Sequence, residues 1–128
     1  MKSFLVLLFL TSTVNCFMPQ LPKLFSDKKH QTFEPSYDDE EIKTVIFHTA
    51  AFNKLPSYVY SDLINKMNDD NLKVIIPSEN CKKLIKKLDD GLTVLGHSSG
   101  SITALENCKN EKVKNLVLID PIDNRFIN

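Results

Sequence analysis

The sequence predicts an α/β fold of about four parallel strands with flanking helices, and three observations support this prediction. Short apolar runs alternate along the chain with longer stretches whose apolar residues recur every three or four positions. The short runs are continuously apolar, which is typical of strands buried on both faces of a parallel sheet. Turn residues separate the two kinds of segment. Such alternation favours parallel strands at the centre with helices packed on the faces of the sheet.

Four apolar runs rich in β-branched residues are predicted as strands. They cover residues 44–47, 72–76, 92–95 and 113–119. Pro77 ends the second run, because proline donates no hydrogen bond to a neighbouring strand, while the extended conformation favoured before a proline suits the last residue of a strand. Asp120 and Pro121 close the fourth run in the same way.

Three segments between these runs are predicted as helices. The first opens at Pro56 and Ser57 and ends before the polar run 68–71, and its apolar residues share one side. The second, at residues 81–88, keeps apolar residues at the spacing of an amphipathic helix, and Gly91 suits its C-terminal cap. The third covers residues 101–108.

The first 41 residues are predicted to lie outside the folded domain. A basic residue, the apolar run 4–10 and small or polar residues up to Cys16 form the three-part layout of a cleaved signal peptide, residues 1–16. The run is shorter than the roughly 20 residues of a membrane span, so we expect no transmembrane segment in the mature chain. Residues 17–41 are predicted as a disordered leader and residues 42–128 as the domain.

Phe17 directly follows the predicted signal peptide, and a basic, proline-containing stretch follows it. This order resembles the bipartite plastid-targeting leader of algae with secondary plastids. The resemblance implies a plastid protein that enters by the secretory route. An ordinary secreted protein with a flexible leader is the alternative, and the short stretch is compatible with both.

Charge and cysteine content indicate few specialised partners. The formal net charge is zero, with 16 Lys+Arg and 16 Asp+Glu, so we expect no nucleic-acid partner. The lysine pairs at 82–83 and 86–87 are expected on the solvated face of a helix. Cys81 and Cys108 are expected as small buried residues, although they could pair if their backbones approached within about 7 Å. Neither their spacing nor that of Cys16 indicates a metal, and we expect no cofactor. The sequence does not indicate an oligomeric state.

The segment whose residues could carry out a reaction is Gly96-His97-Ser98-Ser99-Gly100, at the junction of the third strand and the third helix. G-x-S-x-G in this setting predicts a nucleophile elbow, in which a serine lies at the tip of a strained strand-to-helix turn. Glycines two residues before and after the serine avoid the collisions that side chains would make there. The turn would expose the Ser98 hydroxyl and direct the Ser99 N–H toward an oxyanion. A glycine–serine turn without chemistry is the alternative.

Two other loop motifs are missing from the sequence. No G-x-x-x-x-G-K-[ST] occurs, so a phosphate-binding loop of that kind is excluded. No G-x-G-x-x-G follows the first predicted strand, which argues against a dinucleotide site.

Residues 43–127 resemble the central part of an α/β-hydrolase, close to the chlorophyllase and platelet-activating-factor acetylhydrolase group. The resemblance rests on the strand that ends in His48, the strand that ends in Pro77, the elbow around Ser98 and the strand that ends in Asp120. It implies a partial α/β-hydrolase fold. It also implies a serine esterase that transfers the acyl group of a small-molecule, lipid or pigment ester.

The same resemblance implies roles for individual residues. Ser98 would be the nucleophile, and Asp120 the triad acid, with Asp123 as second candidate. Backbone N–H groups of Thr49 and Ala50 would form the oxyanion loop together with that of Ser99. A strand-end aspartate that forms a turn with the following proline is the alternative for Asp120.

Three features depart from the family pattern. Thr49 stands where these enzymes usually have glycine, the stretch before the third strand is short, and no histidine follows Asp120. The family order along the chain is serine, acid, histidine. His30 lies in the predicted leader and His97 is expected to point away from the serine. His48 is the one histidine expected near the site, where the family role is structural.

A serine hydroxyl without a base is a poor nucleophile. We therefore expect a serine-hydrolase-like domain that is incomplete or inactive as given. The alternative is a non-catalytic remnant or binding protein that keeps the α/β-hydrolase core.

Overall fold

A computed structural model describes residues 6–8, 30–37, 41–78 and 81–122. These residues form one mostly parallel sheet with helices on both faces, so the predicted α/β class is confirmed. The strands are β1 (Val6–Leu8), β2 (Gln31–Phe33), β3 (Lys43–His48), β4 (Leu72–Ile76), β5 (Leu92–His97) and β6 (Val113–Ile119). The helices are α1 (Ala50–Asn53), α2 (Ser61–Asp69), α3 (Cys81–Lys87) and α4 (Gly100–Asn107), and a 3-10 turn (Ser57–Tyr60) precedes α2.

The strands lie in the order β1-β6-β5-β3-β4-β2, and only β2 runs antiparallel to its neighbour. The four predicted runs correspond to β3, β4, β5 and β6. The bounds of β4 and β6 agree with the prediction, whereas β5 continues two residues further, to His97. The sheet therefore contains the predicted parallel centre and two additional strands.

The core has two layers, one on each face of the sheet. Helix α2 and the 3-10 turn cover one face, where Phe47 and Leu95 pack against Tyr60 and Ile64. Helices α3 and α4 cover the other face, in a second cluster of buried side chains. Its members are Ile46, Ile85, Leu92, Val94, Ala104 and Leu118. Burial on both faces explains why the strands are continuously apolar in sequence.

For the described residues 30–37, the structure corrects the prediction that residues 17–41 form a disordered leader. Residues 31–33 of this stretch form β2, which pairs antiparallel with β4. Phe33 packs against the first core cluster, and Glu34 forms a 2.8 Å ion pair with Lys73. The Ser78 N–H also donates to His30 Nδ1 over 3.2 Å. A three-residue strand carries too little periodicity to be recognised in sequence, since its stability comes from the neighbouring strand.

The segment predicted as the apolar part of a signal peptide contains a strand. Residues 6–8 form β1 and pair in parallel with residues 117–119 of β6. Val, Leu and similar residues suit a strand as well as a signal peptide, which is why composition alone does not separate the two. Cys16, Phe17 and the rest of the predicted signal and leader up to residue 29 lie outside the described residues. Signal cleavage, secretion and plastid targeting stay predictions.

Gly91 does not cap α3, contrary to the sequence prediction. The helix ends at Lys87 and Gly91 lies four residues later, with a φ of +89°. Its N–H donates to the carbonyl of Lys112 over 3.0 Å. The left-handed conformation, which glycine adopts without strain, therefore turns the chain into β5. In the described ranges no helix is long and apolar enough to cross a membrane.

We expect Phe33→Ala to lower the free energy of unfolding by about 1–3 kcal/mol, because Phe33 contributes partly buried apolar surface to the core. Urea unfolding of the full chain measures the change. Gln31→Ala, on the same strand with an exposed side chain, serves as the matched control and should change the value by less than about 0.5 kcal/mol. Equal stability of the Phe33 variant and wild type would show that β2 does not belong to the folded unit.

Candidate functional site

Ser98 lies at a sharp turn between β5 and α4. Its φ is +52°, a left-handed conformation that is unfavourable for a residue with a side chain. Its N–H donates to the carbonyl of Ile119 over 3.0 Å, and its carbonyl accepts from the Ser101 N–H at 3.0 Å. These bonds hold the strained residue at the end of a central strand.

The two glycines that flank Ser98 are required by close backbone contacts. A Cβ atom on Gly96 would lie 2.7 Å from the Cα of Ser101 and 2.8 Å from the Cβ of Ala104. A Cβ atom on Gly100 would lie within 2.6 Å of the Thr49 carbonyl oxygen and closer still to that of His48. Side chains at these positions would force the elbow away from its neighbours. The sequence predicts this role of both glycines, and the geometry agrees with it.

Backbone strain is concentrated around this turn. Five non-glycine residues of the described part have a positive φ: Ala51, Asn53, Asn71, Ser98 and Asp120. Four of them follow the carboxyl ends of the adjacent parallel strands β3, β5 and β6, and the fifth lies in the turn before β4. Strain of this kind is retained where the surrounding structure enforces it, and it clusters at functional sites.

The N–H groups predicted as oxyanion donors after β3 already have acceptors within the protein. The Thr49 N–H donates to Asn53 Oδ1 at 2.8 Å, and the Ala50 N–H donates to Tyr60 Oη at 2.9 Å. Both residues lie beside the elbow, since the Thr49 carbonyl faces Gly100. Ser99, the third predicted donor, is buried and is the N-cap residue of α4. A substrate oxyanion would thus compete with resident acceptors for the two loop donors.

Asp120 lies directly after β6 and next to the elbow in space. Its φ is +45° and its side chain is exposed. The preceding residue, Ile119, accepts the hydrogen bond from the Ser98 N–H, so the predicted nucleophile and the predicted acid end neighbouring strands. The negative charge of Asp120 acts on His97, whose pKa it raises against the larger, lowering effect of burial. Asp123, the second candidate acid, lies outside the described residues.

His48 is held in the core as a structural residue. It is fully buried, and burial lowers its pKa to about 4. Asn53 Nδ2 lies 3.3 Å from its Nδ1, and the Asn107 side-chain amide lies 3.1 Å from its Nε2. Because Asn53 Oδ1 accepts from the Thr49 N–H, its Nδ2 faces the ring as a donor, which leaves the imidazole proton on Nε2. Asn107 Nδ2 is the atom placed against Nε2, so Asn107 accepts that proton only with its side-chain amide flipped, which brings Oδ1 to the ring.

His97 lies on the opposite face of the sheet from His48. Its Nδ1 is 2.8 Å from Tyr60 Oη, and the two rings meet edge to face with centroids 5.5 Å apart. The side chain thus packs toward the 3-10 turn, as expected of the variable residue in the elbow. Among the residues that the structure describes, no hydrogen bond joins His30, His48 or His97 to the Ser98 hydroxyl.

Cys81 and Cys108 are both free and partly buried. Cys81 packs against the second core cluster with Sγ 3.8 Å from His48 Nε2, and burial raises its pKa to about 11. Such a thiol is a poor nucleophile at neutral pH. Within the described ranges, no group of three or more His, Cys, Asp and Glu side chains is arranged to hold a metal ion.

The sequence did not identify three polar residues that organise this region: Asn53, Tyr60 and Asn107. Tyr60 is buried, and it is the one polar aromatic residue on the apolar side of the predicted first helix. Asn107 is buried at the end of α4, where a solvated asparagine would be ordinary. Their role depends on contacts with residues that are distant in sequence. The available sequence signal is a polar residue at a position that the apolar pattern predicts to be buried, because such a residue needs a hydrogen-bond partner.

No family model matches this chain, and no curated protein sequence matches it.

We expect Gly100→Ala to lower the free energy of unfolding by about 1–3 kcal/mol or more, because the added methyl group meets backbone carbonyls rather than a flexible side chain. Glu106→Ala, at an exposed position of the same helix, is the control and should have little effect. Urea unfolding followed by circular dichroism measures both. Unchanged stability in the glycine variant would contradict the close packing of α4 on the end of β3.

The lowered pKa of His48 predicts a loss of stability in mild acid. The ring has a folded-state pKa of about 4 against the ordinary histidine value of 6.5, so the unfolded chain binds more protons between these two pH values. The His48 contribution is therefore fully present above pH 6.5. It falls by roughly 3 kcal/mol as the pH drops to 4, and it is constant below that.

Urea unfolding between pH 4 and 7 measures this slope, and NMR titration of the ring protons assigns it. The pKa of His97 is also lowered and adds in the same direction. A His48 ring that titrates near its ordinary value in the folded protein would contradict the assignment.

Proposed function

We propose that this chain carries the nucleophile side of a serine-hydrolase-like site for carboxylic esters. The observation that carries the proposal is the conformation of Ser98: a left-handed serine between two glycines that cannot bear side chains, at the end of a central parallel strand. This is the arrangement of a nucleophile elbow, and few other local structures require it. The loop after β3, which supplies an oxyanion donor in such enzymes, lies against the elbow.

Ser98 is the proposed nucleophile and Asp120 the proposed acid. In the acylation step, Ser98 Oγ forms a bond to the ester carbonyl carbon, and the bond from that carbon to the alcohol oxygen breaks. The serine proton leaves with the alcohol, and water later releases the acid and restores the serine. The base that carries this proton is not assigned to a histidine. His48 is buried and bonded to two asparagine side chains, and His97 contacts Tyr60.

A second candidate function, non-catalytic binding by the same core, is favoured by a specific observation. The Thr49 and Ala50 N–H groups donate to Asn53 Oδ1 and Tyr60 Oη. An oxyanion hole accelerates acyl transfer when its donors point at the developing charge and need no rearrangement. Donors that must first leave a protein acceptor supply less of this stabilisation. A protein that keeps the elbow as a structural turn would have this arrangement at no functional cost.

A fluorophosphonate ester probe distinguishes the two functions, because it forms a covalent bond only with an activated serine. If the hydrolase proposal is right, the full chain becomes labelled at Ser98, and Ser98→Ala abolishes labelling. Peptide mass spectrometry locates the adduct.

Ser101→Ala is the matched control. Ser101 lies three residues away and is fully buried with no hydrogen-bond partner for its hydroxyl, so its removal should be neutral for folding and labelling. Absence of labelling in a sample that unfolds cooperatively would exclude the hydrolase function for this chain and favour the binding alternative.

A further inference from the structure

The hydroxyl of Tyr60 connects the loop after β3 and the elbow, two segments whose relative position the proposed site depends on. Tyr60 Oη lies 2.9 Å from the Ala50 nitrogen, in the loop after β3, and 2.8 Å from His97 Nδ1, in the elbow. The ring is buried and packs edge to face against both Phe47 and His97. Packing therefore fixes the position of the ring. Because the ring is fixed, the position of its hydroxyl is fixed too, and this position determines both hydrogen bonds.

The direction of each hydrogen bond follows from the available protons. The Ala50 N–H is a donor only, so Tyr60 Oη accepts from it. The remaining phenol proton is buried and needs an acceptor, and His97 Nδ1 supplies one when the imidazole is neutral. Burial raises the pKa of Tyr60, which keeps the phenol protonated. In the neutral tautomer that carries its proton on Nε2, His97 thus completes a chain in which the Ala50 amide proton and the Tyr60 phenol proton each have an acceptor.

Protonation of His97 removes the acceptor from this chain. Both ring nitrogens then carry protons, and Tyr60 Oη faces two donors while its own proton loses a partner. In the part of the chain that the structure describes, the titratable groups that act on His97 are Tyr60 and Asp120. Burial lowers the pKa of His97 and the charge of Asp120 opposes this, so the change occurs below the ordinary range of histidine.

We propose that Tyr60 is a positioning residue that holds the loop after β3 against the elbow, and that it does so only while His97 is neutral. Its importance for acyl transfer rests on the proposed function. The hydrogen-bonded link itself does not, and the experiment separates the two.

Amide hydrogen exchange of Ala50, measured by NMR on the full chain, tests the link directly. In Tyr60→Phe, which keeps the ring and removes the hydroxyl, the protection factor of Ala50 should fall about tenfold. Tyr58→Phe is the matched control, because Tyr58 lies two residues earlier with its side chain 70% exposed. In wild type, protection of Ala50 should also fall as His97 titrates, by more than the protection of core amides in β4, which report the global loss of stability expected from His48. This additional fall should be absent from the Tyr60 variant.

Equal protection of Ala50 in wild type and Tyr60→Phe would overturn the proposal. Protection of Ala50 that does not change as His97 becomes protonated would also overturn it. The wild-type pH series requires no variant, so a destabilised mutant leaves the proposal testable. Fluorophosphonate labelling is the second measurement. Tyr60→Phe frees the Ala50 N–H from its resident acceptor but also releases the loop from the elbow. If the positioning role outweighs the freed donor, labelling slows about tenfold. Equal or faster labelling would overturn the positioning role. Absence of labelling in wild type would remove the proposed function, while Ala50 protection would still decide whether the link exists.

Discussion

The backbone of Gly100 lies directly against the carbonyl groups of His48 and Thr49, and the geometry of the candidate site depends on this contact. It brings the first turn of α4 onto the end of β3 with no side chain between them. The contact of Gly96 with Ser101 and Ala104 does the same for α4 and β5. Because close-packed backbone cannot be compressed, the elbow, the helix that follows it and the loop after β3 have one mutual arrangement. Strain at Ser98 is sustained by that arrangement rather than by local sequence preference.

Several polar groups of this region have partners within the protein, although the buried Ser101 hydroxyl has none. These partners stabilise the fold and, for the same reason, constrain its chemistry. The N–H groups of Thr49 and Ala50 are neighbours of the elbow, yet side chains from Asn53 and Tyr60 accept their protons. His48, the histidine at the same strand end, is likewise held between amide side chains. A catalytic site usually leaves its donors directed at substrate. Here the fold and the proposed catalytic role would compete for the same hydrogen-bonding groups, and the structure has these groups bonded within the protein.

The parts of the fold that depend on burial could be predicted from sequence, because burial on both faces leaves a continuous apolar run. The bounds of β4 and β6 and the position of the elbow are examples. Strand β2 could not be predicted, since its three residues owe their conformation to the partner strand. The candidate site residues Ser98 and Asp120 were proposed from a motif and from a strand end, and they stay proposals. The partners of Thr49, Ala50 and His97 were not, because a hydrogen bond between distant residues leaves no periodic trace in the sequence.

The N-terminal strand has a consequence for the relative timing of folding and export. Residues 6–8 cover the outer edge of β6, and the same residues belong to the segment that the sequence predicts as a signal peptide. An export receptor and the sheet edge would therefore bind one segment in alternative states. A chain engaged in export could not close its sheet, and an unpaired edge strand is open to association with other chains. If the predicted signal peptide is real, completion of the sheet before export would conversely hide it, and folding and sorting would be competing reactions.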